Sequence, residues 1–325
     1  MSSKRIKIGV IGGVNATKIV IQKLFENDFN NVFVWNYKPS SKAKIVSGWD
    51  DLALVSKVSG YENHEFSRVQ EIKKSIKTFK PEILFIVGLS QIIPKEIINI
   101  PKNGCIGFHP TKLPFGRGRA PLAWLILESC SLSAATFFVL NERVDDGPIL
   151  AQEDFVINED DYAEDIEKKM LDAEGKALDS ILSNPKFPDL FSKEQEHKNA
   201  FYFEKRDPSD GIIDWQSDAN EILKLIRATS KPFPNAYTFF ENNKVFIKKA
   251  KISDHPIKGV IGKILRVNDS SFLVQCKDGI IEILNWDSSN ENWDPKVNMK
   301  LGFNIQEEIF HLRKKIQEIT MRIDL

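Results

Sequence analysis

The chain has 325 residues, 42% hydrophobic and 28% charged, which is typical of a soluble globular protein large enough for two domains. Its 45 lysines and arginines balance 45 aspartates and glutamates, so zero net charge argues against a general attraction to nucleic acid or anionic membranes. Three scattered cysteines fit neither a disulfide framework nor a metal site, and no apolar run nears the roughly 20 residues of a membrane span.

The N-terminus lacks the apolar run and cleavage pattern of a signal peptide, which together with the cysteines favours a reducing, cytoplasmic location. The first predicted elements are a strand over Ile6–Ile11, a turn at Gly12-Gly13 and a helix over Ala16–Glu26. Five further strands are predicted in this half, over Val32–Trp35, Ile83–Gly88, Cys105–Phe108, Ala135–Leu140 and Ile149–Val156. Helical spacing covers Phe66–Phe79, Pro94–Ile98, Leu122–Glu128 and 160–184. This alternation predicts an α/β domain with a mostly parallel sheet.

A glycine pair after the first strand raises the possibility of a dinucleotide site. The spacing is Gly9-x-x-Gly12-Gly13, which is not the G-x-G-x-x-G fingerprint. The second strand is followed by Asn36, so no acid is available there for a ribose hydroxyl. The pattern disfavours NAD, and no P-loop is present.

The second half of the chain has a different pattern of predicted secondary structure. After a helix over Ala219–Ala228, short β runs are separated by turn residues, which predicts a small antiparallel barrel or sheet. The predicted strands are Ala236–Phe240, Lys244–Ile252, Val260–Val267, Ser271–Lys277 and Ile280–Leu284. We therefore expect a catalytic domain over 1–200, a connection over 201–235, a β-barrel-like domain over 236–285 and an extension over 286–325.

The tail from Ile305 to Leu325 predicts a terminal helix. Its apolar residues recur in steps of four and three, which is a heptad pattern over Ile305, Ile309, Leu312, Ile316, Ile319 and Ile323. We expect this helix to pack on its own domain, and a homodimer contact is the alternative.

The densest turn chemistry lies between Gly104 and Gln152. His109 follows a strand directly, and ligands of open parallel sheets sit at the carboxyl ends of strands. Asp145-Asp146-Gly147 follows a later strand, so His109 and Asp145 could meet at the sheet edge. A histidine in a proline-rich loop is often structural, and Asp-Asp-Gly is a common turn, so residues alone leave both readings open.

These segments resemble the formyltransferases that use N10-formyltetrahydrofolate. The resemblance rests on HPTKLPFGRGRAP, DDGPILAQ and ILFIVGLSQIIPKEII, and then on KRDPSDGIIDW, IRATSKPFPNAYTFF, KVFIKKA and GVIGKILRV. It covers most of residues 5–285. The resemblance implies a Rossmann-like, mostly parallel catalytic domain that binds folate, followed by a small OB-like β-barrel domain and a terminal helix, and it implies no metal.

The resemblance also assigns roles to residues. His109 matches the family histidine that donates to the oxyanion, and Asp145 matches the aspartate that pairs with it and helps take the proton of the attacking amine. A carboxylate beside an imidazole favours the charged ring, which suits oxyanion stabilisation. The implied folate-binding residues are Leu89, Ser90, Gln91, Ile92, Ile93, Leu113, Asn141 and Asp146. The implied acceptor-side residues are Pro110, Thr111, Arg117, Gly118 and Arg119, where the arginines could equally anchor the loop through ion pairs.

One residue departs from the family pattern. Where the family has an asparagine whose amide also holds the oxyanion, two residues before the histidine, this chain has Gly107. Losing one oxyanion donor typically costs ~10²–10³ in rate. We expect either another donor or slow turnover, and we expect activity to be retained.

Three functions compete for the acceptor. The first is formylation of an amino sugar that is linked to a nucleotide and destined for a surface polysaccharide. The second is formylation of methionyl-tRNA. The third is a folate- or sugar-binding protein that has lost catalysis. A tRNA partner should leave a basic footprint, and the neutral chain therefore favours the small-molecule amino sugar over nucleic acid.

Overall fold

The computed structural model describes residues 6–39, 48–189, 192–291, 293–303 and 305–323. The chain divides into two compact units, the first ending at Arg206 and the second beginning at Asp207. Each unit has its own sheet, and the candidate site residues belong to the first.

The first unit is built on a seven-stranded sheet in the order β3-β2-β1-β4-β5-β7-β8. These strands are β1 (Ile8–Gly12), β2 (Val32–Tyr37), β3 (Glu62–Phe66), β4 (Ile83–Val87), β5 (Cys105–His109), β7 (Leu132–Val139) and β8 (Ile149–Val156). Strands β1 to β5 pair in parallel, whereas β7 runs antiparallel to both β5 and β8. This confirms the predicted Rossmann-like, mostly parallel sheet.

Helices cover the sheet because its central strands are apolar throughout. Every residue of β1 and of β4 is buried, as expected for strands covered on both faces. The helices of this unit are α1 (Asn15–Glu26), α2 (Ala53–Val58), α3 (Val69–Phe79), α4 (Lys95–Ile98), α5 (Pro121–Leu127) and α6 (Ala163–Leu182). The buried residues form hydrophobic clusters, among them one that contains Val10 and Leu178 and another that contains Trp35 and Ile76.

Edge strand β3 and helix α2 were not predicted from the sequence. The strand Glu-Asn-His-Glu-Phe is exposed at its first four residues, so it lacks the apolar alternation that identifies a half-buried strand. The predicted helix over Phe66–Phe79 begins at Val69 instead, because Phe66 completes β3.

The second unit contains α7 (Ala219–Ala228) and a five-stranded antiparallel sheet in the order β10-β11-β14-β13-β12. The strands are β10 (Ala236–Phe240), β11 (Asn243–Ser253), β12 (Ile264–Val267), β13 (Phe272–Gln275) and β14 (Ile280–Ser288). The predicted antiparallel β domain is therefore confirmed. Strand β14 runs four residues beyond its predicted end at Leu284, and β12 starts four residues after its predicted start at Val260.

The terminal helix α8 (Ile305–Ile323) is present, but it does not pack as expected. Every side chain described in it, from Ile305 to Met321, is exposed, including the apolar residues of the heptad pattern. The expectation that this stripe packs on its own domain is wrong for these residues.

Candidate active site

Strand β5 carries Gly107 and His109 on one face, because alternate residues of a strand point to the same side. The strand lies between β4 and β7, where Gly107 is paired with Ile86 and Phe138. His109 is the last residue of the strand and is 5% exposed. The sheet thus holds the imidazole at a strand exit, in a largely water-excluded position.

Both ring nitrogens of His109 face acceptors. Nε2 lies 2.7 Å from the carbonyl oxygen of Gly116, and because a carbonyl only accepts, Nε2 carries the proton in this bond. Nδ1 lies 3.5 Å from Oδ2 of Asp145, at the outer limit of a hydrogen bond. A protonated ring would be attracted to this carboxylate, so the pair suits the stabilisation of developing negative charge.

His109 and Asp145 come together as predicted, but not for the predicted reason. Strand β7 is antiparallel to β5, with Val139 paired with Ile106, so the carboxyl end of β7 lies beside the amino end of β5. The loop after β7 must therefore return along β5 to bring Asp145 to the imidazole. Asp145 adopts a left-handed backbone conformation in that loop, with φ of 50°.

The backbone of Gly118 fixes the carboxylate. Its N–H donates to Oδ2 of Asp145 at 2.9 Å, the same oxygen that faces His109. Gly118 has φ of 106°, and a Cβ there would lie 2.3 Å from the carbonyl oxygen of Phe203, so only glycine fits without displacement. This glycine is thus placed to orient the acid of the pair.

Behind this contact, a buried arginine and a glutamine brace the loop of Asp145. Arg117 is 1% exposed and donates from Nη2 to Oε1 of Gln195 at 2.7 Å. Gln195 in turn donates from Nε2 to the carbonyl oxygens of Asp145 at 2.9 Å and Gly147 at 2.7 Å. The amide of Gln195 therefore links the arginine to the backbone on both sides of Asp146.

Two further side chains complete the surroundings of Arg117. It donates from Nη1 to the hydroxyl of Tyr202 at 2.8 Å and from Nη2 to Nδ1 of His197 at 3.0 Å. Two short strands hold this region together, since β6 (Arg117–Gly118) pairs in parallel with β9 (Tyr202–Phe203). Arg117 anchors its loop through these groups, whereas Arg119 is exposed.

Gln195, His197 and Tyr202 were missed by sequence reasoning. They lie between 78 and 85 residues from Arg117 along the chain and belong to no recognisable motif. No local signal could have found them, because their role depends on a tertiary contact.

The side chains of Phe138 and Leu140 occupy the space beside Gly107. A Cβ on Gly107 would lie 2.8 Å from Cζ of Phe138 and 3.0 Å from Cδ1 of Leu140. Real carbon atoms in contact prefer about 3.5–4.0 Å. The position where the resemblance places an asparagine is therefore packed around the glycine, with Phe138 itself 2% exposed.

The predicted folate-binding residues lie on two segments. Leu89, Ser90, Gln91, Ile92 and Ile93 follow β4 directly, while Leu113, Asn141 and Asp146 lie in the loops after β5 and β7. Within the first segment the side chain of Gln91 is engaged, accepting from the Val69 N–H at 3.0 Å and donating to the Ser67 carbonyl at 2.8 Å. Ile92 is 93% exposed, whereas Leu89 and Ile93 pack against the hydrophobic cluster that contains Trp35.

Asp146 is the buried acid of the pair after β7. It is 4% exposed, and Oδ2 forms an ion pair with Nε of Arg143 at 3.1 Å. Its Oδ1 is buried with no hydrogen-bond partner among the described residues. A buried unpaired acceptor is costly, so this oxygen is a candidate contact for a donor group on a bound molecule.

The remaining predicted acceptor-side residues are Pro110 and Thr111. Pro110 is partly exposed, whereas Thr111 is fully buried. The Thr111 hydroxyl lies 3.3 Å from the Gly116 carbonyl, and the Thr111 carbonyl accepts from the Thr136 hydroxyl at 2.6 Å. These bonds hold the segment after His109 in place.

The described residues contain neither a metal-binding cluster nor a membrane-spanning helix. There, no group of three or more His, Cys, Asp or Glu side chains could hold a metal ion. None of the helices in these ranges combines the length and apolar character required to cross a bilayer.

The fold and the site together define a class: a Rossmann-like domain with a histidine–carboxylate pair at a strand exit, followed by an antiparallel β domain. The formyl transferase family matches residues 5–182, and its C-terminal domain matches residues 205–292. The chain belongs to this family and is a formyl-transferring enzyme. It is 30% identical over 242 residues to a methionyl-tRNA formyltransferase of Syntrophomonas wolfei, which covers 73% of this chain and 76% of the relative.

Solved structures agree with the fold. HypX from Aquifex aeolicus superposes with a TM-score of 0.64 at 16% identity, covering 88% of this chain, which spans 45% of HypX. An N-formyltransferase from Helicobacter canadensis, in complex with folinic acid and dTDP-3-aminofucose, has a TM-score of 0.59 at 18% identity. That match covers 87% of this chain and all of the neighbour.

Proposed function

We propose that the chain moves the formyl group of N10-formyltetrahydrofolate to the amino group of a nucleotide-linked amino sugar. The observation that supports the chemistry is the approach of His109 and Asp145 to 3.5 Å at the end of β5. The amine attacks the formyl carbon, and the resulting tetrahedral oxyanion accepts a hydrogen bond from the imidazole. Asp145 takes the proton of the amine as the new C–N bond forms. When the intermediate collapses, the bond to N10 breaks and N10 receives that proton, so that tetrahydrofolate leaves as a neutral amine.

On the donor side, the proposal is supported by the residues after β4 and β7. Leu89 and Ile93 offer partly buried apolar surface to a flat ring. Leu113, which follows His109 closely in the sequence, is buried. The unpaired Oδ1 of Asp146 is suited to an N–H of a pterin, which carries several such donors. These residues therefore fit a reduced folate.

On the acceptor side, the charge balance supports an amino sugar. The chain has 45 basic and 45 acidic residues, so its net charge is zero. A protein that binds the tRNA backbone needs a basic surface. The Helicobacter canadensis neighbour was solved with an amino sugar linked to a nucleotide. We place this small-molecule chemistry in the cytoplasm, in line with the free thiols of Cys105, Cys130 and Cys276.

Methionyl-tRNA formylation is the second candidate. It is favoured by the name of the Syntrophomonas wolfei relative, which matches three quarters of its length at 30% identity. A third candidate, folate or sugar binding without turnover, is favoured only by the missing amide at Gly107.

One assay separates these candidates. The protein is incubated with N10-formyltetrahydrofolate and either a panel of 3- and 4-amino nucleotide sugars or charged initiator tRNA, and release of tetrahydrofolate is followed together with product mass. We expect a formylated sugar, and we expect a His109→Asn variant to bind folate but turn over ~10²–10³ more slowly. Formylated tRNA with salt-sensitive binding would refute the sugar proposal. Folate binding without turnover across the whole panel would favour the third candidate.

A further inference from the structure

Helix α8 carries an apolar stripe that nothing in the described structure covers. Its residues are Ile305 (70% exposed), Ile309 (46%), Leu312 (57%), Ile316 (61%) and Ile319 (49%). Isolated apolar residues on a surface are ordinary, but a continuous row along one helix marks an interaction face.

The spacing of the stripe is that of a coiled coil. Steps of four and three average 3.5 residues, which keeps one seam facing a parallel neighbour when helices supercoil. In this register Ile309 and Ile316 occupy a positions, and Ile305, Leu312 and Ile319 occupy d positions. No polar residue interrupts the described seam, so it is complementary to a helix of the same kind.

The charges beside the seam select the partner and its direction. Glu308 falls at a g position and Arg313 at the e position of the next heptad. In a parallel coiled coil, g of one helix faces this e position of its neighbour, so Glu308 of each copy meets Arg313 of the other. An antiparallel pair would instead bring e against e and place the Arg313 side chains of the two copies together.

We propose that α8 binds α8 of another copy of this chain as a parallel coiled coil, making the enzyme a homo-oligomer. At 19 residues the helix is about 28 Å long, close to the length at which isolated helices are marginal in water. Its folding is therefore strengthened by association, and the oligomer should dissociate on dilution. This proposal is independent of the acceptor of the formyl group.

The test is the mass of the full-length protein, measured by sedimentation velocity from about 1 to 100 µM, a range set around ordinary oligomer affinities. We expect a whole-number multiple of the single-chain mass, and the single-chain mass for Ile316→Asp. The matched control is Gln317→Asp, which introduces the same side chain one residue away, outside the seam, and should keep the oligomer. A single-chain mass for the parent at all concentrations, or an unchanged mass for Ile316→Asp, would overturn the proposal.

Charge reversal tests the direction of the helices. Glu308→Arg or Arg313→Glu alone should raise the midpoint concentration of dissociation roughly 3- to 10-fold, since each places like charges together across the seam. The two substitutions combined should restore the parent value, because each pair is then reversed as a whole. If the combined variant is weaker than either single variant, the parallel arrangement is wrong.

Discussion

Replacing Gly107 with asparagine would introduce the amide that the related formyltransferases carry at this position. In the structure, however, Phe138 and Leu140 already fill the adjoining space. The first atom of any side chain would lie 2.8 Å from Cζ of Phe138, so the ring must move by about 0.7 Å even to reach ordinary contact. We therefore expect Gly107→Asn to destabilise the protein and to lower formyl transfer.

The size of the effect follows from the packing. Overpacking of a dense core typically costs about 1–3 kcal/mol. For a unit of about 200 residues, each kcal/mol lowers Tm by roughly 2–4 °C, so the expected loss is about 2–12 °C. Phe138→Ala would itself cost about 3–5 kcal/mol, but it would open the space that the asparagine needs.

A double-mutant cycle separates the steric effect from the chemical one. Thermal unfolding and turnover are measured for the parent, each single variant and Gly107→Asn/Phe138→Ala. In the Phe138→Ala background, adding asparagine should cost less stability than it does in the parent, because only Leu140 then remains close. It should also raise turnover, by at most ~10²-fold if the amide reaches the oxyanion. An unchanged Tm for Gly107→Asn alone would show that Phe138 does not exclude a side chain at this position.

Three further outcomes are expected. Asp145→Asn keeps an oxygen for the Gly118 N–H but removes the carboxylate. We therefore expect kcat to fall ~10²- to 10⁴-fold while Tm is nearly unchanged. An unaltered kcat would remove Asp145 from the mechanism. Gln195→Glu keeps the acceptor for Arg117 but loses the donor to the carbonyl oxygens beside Asp146. We therefore expect kcat to fall at least ~10-fold while the affinity for folate is retained. Equal activity of the variant and the parent would limit Gln195 to a structural role. Burial raises the pKa of Glu174 well above 4.5, so the folded protein keeps a proton that the unfolded chain releases as pH rises above that value. Between the unfolded-state and the folded-state pKa of Glu174, the free energy of unfolding of the parent should fall by about 1.4 kcal/mol per pH unit relative to Glu174→Gln. Parallel curves of this free energy against pH for the two proteins, measured from pH 5 to 8, would contradict this.

The parallel part of the fold was predictable because its strands carry their own signal. Ile83–Val87 is apolar at every position, and a short run of this kind is typical of a strand buried on both faces. Strand β3 carries no such signal, since its exposed residues at the sheet edge are free to be polar. The packing of α8 was misjudged because an amphipathic pattern shows that a face will be covered but not which molecule covers it.

The proximity of His109 and Asp145 was predictable from the sequence, but the residues that hold them in place were not. His109 and Asp145 stand in recognisable local sequences, and the structure brings them within 3.5 Å. Gln195 lies 78 residues from Arg117, and the route of the loop after β7 depends on the antiparallel pairing of that strand. Both depend on tertiary geometry, which single-sequence patterns do not encode.

The 2.7 Å bond between His109 and the Gly116 carbonyl has a consequence for the order of events in binding. If His109 acts as proposed, an oxyanion that accepts a hydrogen bond from Nε2 must compete with that carbonyl for the same donor. Exchanging one acceptor for another costs little in itself, but the segment holding Gly116 has to yield, so part of the binding energy is used to displace it. In the proposed mechanism the imidazole therefore acts on a carbonyl only after the Gly116 carbonyl has withdrawn, which ties the start of chemistry to the movement of a single backbone oxygen.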